Sequence, residues 1–298
     1  MITTIKQVKY LLPSIEIDMG GFPVKQALPT QKVQQLDPFL LLHHAKTKYS
    51  NRKLAKHQGV GPHPHRGFSP VTFVIKGEVH HRDSFGNNQI AKEGEVQWMH
   101  AGAGIVHSER PSTALIEGER KQEIVQLWIN SPSIKKMHPP TYSYVPSKAM
   151  TIFTSKDQKV KNKLIAGQYG KFKGRISTQS ELLVIWGHGK KGGTQQLSIP
   201  KGYSSMLYNV RGNINLTKYG IMEEEHLAIF DHEGDLIEMT FKEDTEFILL
   251  SGKPIDEKVT QSGPYVMNTQ TEILEAMRDY QMGKFGILIE DDKQNLSE

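Results

Sequence analysis

The sequence predicts an all-β chain in two halves, each a barrel or sandwich, followed by one amphipathic helix. Three observations carry this reading. Short runs rich in β-branched and aromatic residues recur between Gly, Pro and Asn turns. The same strand-and-turn rhythm returns in the second half. The last element alone changes period, with a helix-start signal just before an apolar run.

Taken in order, residues 6–39 alternate short apolar groups with Gly, Pro and polar residues, as short strands and turns do. The run from Asp37 to His44 is continuously apolar up to two histidines, the pattern of a buried strand. His43 and His44 point to opposite faces of such a strand, so they are a poor pair for one ligand site. A polar loop over 46–59 leads into Gly61-Pro62-His63-Pro64-His65-Arg66-Gly67-Phe68. Residues 70–75 then form a strand ended by Lys76-Gly77, and 78–83 form the next, with a turn at Phe85-Gly86-Asn87-Asn88. Residues 95–99 and 125–130 read as further strands, with the glycines of 101–104 delivering the chain to His107. Gln97, Trp98 and Met99 read as barrel filling, and Arg66 as a residue that orients a loop or a carboxylate. Residues 131–146 are rich in Pro, Ser and Lys and are read as the boundary between an N-terminal domain, 1–135, and a C-terminal domain, 136–298. Strands at 181–186, 195–199, 206–210 and 247–250 repeat the rhythm without any His-any-His pair, so the second half is read as a barrel without metal. Thr269 with Glu272 three residues on is a capping box. It opens a helix with Ile273, Leu274, Met277 and Tyr280 on one face, expected to pack back on the body.

Composition narrows the chemistry. The 298 residues are 37% hydrophobic and 23% charged, ordinary for a globular chain, and include no cysteine. Disulfides, thiolate metal sites and a cysteine nucleophile are thereby excluded, and any metal must be held by His and carboxylate. The absence of cysteine, of an apolar run near 20 residues and of a signal-like N-terminus points to a cytoplasmic location without membrane contact. The formal charge of +5 is modest for this length. Part of it is a lysine-rich stretch over 156–175, read as a solvated surface, and no nucleic-acid-binding signature accompanies it.

The site lies in two pairs of the form X-any-X. Side chains two apart on a strand share a face, so His63 projects with His65 and His107 with Glu109. If the two strands face each other across a small barrel, three imidazoles and one carboxylate converge. That donor set suits a divalent transition metal. Iron(II) is the first choice, because such a shell leaves coordination positions open, and nickel, copper and zinc compete for the same donors. Of the remaining histidines, His80 and His81 are read as ordinary strand residues, with a place beside the ligands the lesser alternative for one of them, and His100 is read as a turn residue.

The stretches DPFLLLHHA, GPHPHRGFSPVTFVIKGEVHHRDSFGN, QWMHAGAGIVHSERP and GPYVMNT resemble those of the pirins, two-barrel members of the cupin superfamily. The resemblance covers nearly the whole chain. It implies two tandem cupin domains with the C-terminal helix packing back, and metal in the first domain held by His63, His65, His107 and Glu109. It also implies a quercetin 2,3-dioxygenase-type activity on a flavonol or related phenolic with O2, and Glu109 is the expected proton acceptor. The alternative carried with it is a metal-dependent, redox-sensing module that binds a protein partner without turnover. Two positions depart from the family pattern: Ser69 stands where pirins commonly carry Glu, and His43-His44 replaces an Asp-Glu pair seen in some.

Overall fold

The computed structural model describes residues 4–290. By contact the chain divides into two compact units, each drawn from several stretches of sequence. One comprises residues up to His44, Gln126–Ile129 and Ser147–Asp256; the other comprises Ala45–Val125, Asn130–Pro146 and the residues from Glu257 onward. The sequence reading placed a single boundary at 135/136, whereas these units interleave along the chain.

The first unit is built on a seven-stranded sheet, in order Val8–Pro13, His226–Phe230, Ser204–Arg211, Thr245–Gly252, Leu182–Gly189, Val160–Ala166 and Thr151–Thr154. A four-stranded sheet, Thr194–Ser198, Leu236–Phe241, Ile214–Leu216 and Gly220–Met222, packs on it. Inward side chains of both sheets, among them Leu183, Ile185, Leu207, Phe247, Ile237 and Met239, form one apolar cluster. The alternation that directs them inward is the period of two of a pleated strand.

The second unit carries the candidate site. Its four-stranded sheet runs Val60–His65, Ile105–Arg110, Glu78–Asp83 and Asn88–Lys92. Phe68–Lys76 pairs with Val96–His100, which pairs in turn with Thr141–Val145. Glu78–Asp83 alternates half-buried and buried positions, so Val79, His81 and Asp83 point inward together. Gly67 makes the turn out of the first histidine strand. Its φ of +88° is one that other residues rarely adopt, and an added Cβ would lie 2.0 Å from the Val266 carbonyl oxygen.

Two sequence expectations change here. Residues 131–146, read as a boundary, are part of this unit: Lys136 is fully buried in it, and Thr141–Val145 is a paired strand. The sequence reading gave Lys136 no role, but its long stem reaches inward to backbone acceptors. The helix Gln270–Gln281 starts at the expected capping box, with Thr269 Oγ1 accepting from the Glu272 amide and Glu272 Oε2 accepting from the Thr269 amide. Its buried face, however, is Ile273, Ala276 and Asp279, while Leu274 and Tyr280 are exposed. The reason is an inward-facing charge. Asp279 accepts from Arg66 Nη2 at 3.0 Å, and Arg66 also donates from Nε to the Ala103 carbonyl at 2.6 Å and lies over the Phe285 ring at 4.6 Å. Ile273, Ala276 and Phe285 pack against Val106. The helix thus backs the strand whose next residue is the candidate ligand His107.

Candidate metal centre

The two ligand strands do not face each other across a barrel. They are neighbours in one sheet, and His107 stands in register with His63. A register shift follows, so that Glu109 pairs with Val60 rather than continuing the simple ladder. Such irregularities re-aim side chains where a sheet carries a site. The ring centroids of His63 and His107 are 4.4 Å apart, those of His63 and His65 4.7 Å, and those of His65 and His107 4.9 Å. Nitrogens of these three residues all lie within 4.8 Å of one another, the one such cluster among the described residues.

Each ring is tethered through contacts outside the cluster. His63 Nδ1 donates to the Gly61 carbonyl at 2.8 Å, His65 hydrogen-bonds the backbone at Pro264, and His107 Nδ1 lies 3.4 Å from His81 Nδ1. His107 Nε2 is buried and has no hydrogen-bond partner among the described residues. A buried polar nitrogen left in that state costs free energy unless something meets it. Burial first, and then the neighbouring His63, hold His65 and His107 well below the ordinary histidine range. Both rings are therefore neutral near pH 7, the form that ligates a metal. Three imidazoles with tethered rings fit a divalent transition ion.

Glu109 is not in the 4.8 Å set. Its Oε1 accepts from Thr72 Oγ1 at 2.9 Å and from Gln97 Nε2 at 3.0 Å, and Tyr142 donates to Gln97 Oε1 at 3.1 Å. Burial, and then the carboxylates of Glu109 and Asp83, push the Tyr142 phenol well above its usual range, so it remains a donor. Gln97 is thus more than barrel filling, since it links Tyr142 to the carboxylate. Sequence reading missed Thr72, Tyr142 and Asp83. Asp83 could have been found, because His81-Arg82-Asp83 has the same X-any-X form as the ligand pairs. Tyr142 carried no signal inside a Pro-, Ser- and Lys-rich stretch.

The other histidines that the sequence singled out have partners of their own. His43 Nε2 meets Gln26 Oε1 at 3.0 Å, and His44 Nδ1 meets the Tyr208 hydroxyl at 2.9 Å. His80 bonds Asn88, while His81 is the one that reaches the ligands. His100 ends a strand, buried, with Ser69 Oγ 3.3 Å from its Nδ1. Ser69 therefore sets a neutral hydroxyl against His100.

Burial brings His100 down to about 4 from an ordinary value of 6.5. Between those values the unfolded chain binds the proton and the folded chain does not. The contribution is complete above pH 6.5 and is lost as pH falls towards 4, at most roughly 3 kcal/mol. Metal-free protein is therefore expected to lose denaturant resistance from pH 7 to 4.5, and His100→Asn to lose less over the same interval. Equal losses in the two proteins would show that His100 does not contribute to the acid transition.

An all-β chain with two sheet pairs and a His-lined centre in one of them is a two-domain cupin. The Pirin family profile matches residues 21–129, and the profile of the pirin C-terminal cupin domain matches 186–286. A Pseudomonas aeruginosa protein provisionally named a quercetin 2,3-dioxygenase is 36% identical over 266 residues, which are 89% of this chain and 92% of that one. Human Pirin is 32% identical over 272 residues, 89% of each chain. A crystal structure of quercetin 2,3-dioxygenase from Acinetobacter baumannii superposes with a TM-score of 0.88 at 36% identity, covering 96% of this chain and 100% of that one. The chain belongs to the pirin family.

Proposed function

We propose that this chain is a metal-dependent oxygenase of the quercetin 2,3-dioxygenase type, taking a flavonol or related phenolic together with O2. The observation that carries the reading is the convergence of three tethered imidazoles within 4.8 Å, on the same strand pair as a carboxylate held by Thr72 and Gln97. The 36% identity to a protein crystallised under that activity supports it. His63, His65 and His107 are assigned as metal ligands and Glu109 as the fourth, with iron(II) the first choice and nickel, copper or zinc compatible with the same donors. A divalent ion bound there supplies Lewis acidity towards a substrate hydroxyl. Burial keeps His65 and His107 neutral, so their nitrogens are ready to donate at physiological pH. Glu109 accepts the substrate hydroxyl proton, for which its carboxylate must come within about 3 Å. Thr72 and Gln97 fix the plane in which that carboxylate presents its oxygens.

The test is anaerobic loading with iron(II), followed by oxygen uptake on adding quercetin. Wild-type protein is expected to consume oxygen, His63→Ala to lose the activity with its metal, and Glu109→Gln to slow by about a hundredfold or more. Tight metal binding without uptake on quercetin or related phenols would sink the oxygenase and leave the metal-dependent protein-binding module as the reading.

A further inference from the structure

We infer that Asp83 and His81 form a proton-placing relay that sets which nitrogen of His107 is offered to the metal. The inference rests on the metal-centre reading above and adds two positioning residues to it. His107 is flanked in the sheet by His63 on one side and Asp83 on the other. His81 and Asp83 are two apart on one strand, both buried and both inward. Asp83 Oδ2 lies 3.0 Å from His81 Nε2, and His81 Nδ1 lies 3.4 Å from His107 Nδ1. The Tyr142 ring stacks on His81 at 4.2 Å and 15°, which fixes the imidazole plane between its two contacts.

These contacts admit one consistent placement of protons on neutral rings. The carboxylate is acceptor only, so His81 carries its proton on Nε2 and presents Nδ1 as an acceptor. His107 must then donate from Nδ1, which leaves its lone pair on Nε2. That atom is the buried nitrogen with no hydrogen-bond partner among the described residues. A carboxylate reached through a second imidazole thus does for His107 what the Gly61 carbonyl does directly for His63. Asp83 is itself anchored, with Oδ1 accepting from the Phe85 and Asn87 amides and Oδ2 from the Asn87 side chain. The relay therefore starts from a fixed carboxylate.

The test begins on metal-free protein, with histidine side-chain NMR reading the tautomer of His107. The expected result is Nδ1–H in the wild type and Nε2–H in Asp83→Asn, whose amide can donate to His81 Nε2 and reverse the chain. Zinc titration of the same proteins is expected to give roughly tenfold to a hundredfold weaker binding in Asp83→Asn and in His81→Phe. Phe85→Ala trims an exposed side chain of the same turn and keeps every contact of Asp83, since only the Phe85 amide reaches it, so it should keep both the tautomer and the affinity. The relay is overturned if wild-type His107 carries its proton on Nε2, as it would beside a charged His81. It is equally overturned if folded Asp83→Asn keeps wild-type affinity, or if Phe85→Ala loses as much. Failure of the wild type to bind zinc, nickel or iron(II) would instead overturn the metal centre, a result separable from the tautomer measurement.

Discussion

Replacing His107 by alanine is expected to weaken divalent transition-metal binding by about a thousandfold. Four-ligand protein sites bind with roughly 10–16 kcal/mol, so one nitrogen accounts for about 3–4, and each 1.4 kcal/mol is a factor of ten. His107 is the ligand with most to lose. It lies on a strand flanked on both sides, its ring meets those of His63 and His65 at 4.4 and 4.9 Å, and its Nδ1 contacts His81. Alanine leaves the backbone pairing of Ile105–Arg110 intact, so the variant can be compared as a folded protein. Isothermal titration with nickel or zinc reads the affinity directly. Thermal unfolding provides a second reading, since metal at a thousand times its Kd adds about 4 kcal/mol to the wild type. The same concentration should barely move the variant. Glu109→Gln is expected to lose less, because Glu109 lies outside the three-histidine cluster. A His107→Ala affinity within tenfold of wild type would remove these histidines as the metal site.

The three-histidine cluster was legible because a strand has a rigid period. His63 with His65 and His107 with Glu109 needed only the rule that alternate residues share a face. That rule says which side chains point together, not which strands are neighbours. The assumed approach across a barrel proved to be a ladder within one sheet, with His107 opposite His63. Glu109 illustrates the limit. Its pairing with His107 was read from spacing alone, but a register shift lies between the two, and its donors Thr72 and Gln97 come from other strands. The helix was legible at its start, where the capping box is local chemistry. Its buried face was not, because Asp279 turns inward to meet an arginine more than two hundred residues away, as well as the nearby Lys284.

Lys136 was the least legible residue, and its replacement carries the second large effect. The sequence shows a lysine in a Pro- and Ser-rich stretch, yet the ammonium is buried and donates to the Gly67 carbonyl at 2.8 Å, Asn130 Oδ1 at 2.6 Å and the Val266 carbonyl at 2.9 Å. Two opposing terms decide what Lys136→Met does. Three buried acceptors lose their donor at about 1–3 kcal/mol each. Against this, the variant no longer buries an ammonium. Burial lowers Lys136 to about 8 from 10.5, which is a cost of roughly 3 kcal/mol at neutral pH. At the middle of that range the orphaned acceptors win, and a net loss of about 3 kcal/mol is expected at pH 7. The pH dependence identifies the cause. Because the folded value lies below the unfolded one, the unfolded chain binds more protons between pH 8 and 10.5, so wild-type stability rises across that window. The methionine variant lacks that gain, and the gap between the proteins should widen from pH 8 to 10. Denaturant midpoints at pH 7, 8 and 10 measure both effects. A gap that stays constant with pH would mean that Lys136 acts by filling space, and no loss at pH 7 would mean that its three bonds do not hold the turn after His65 in place.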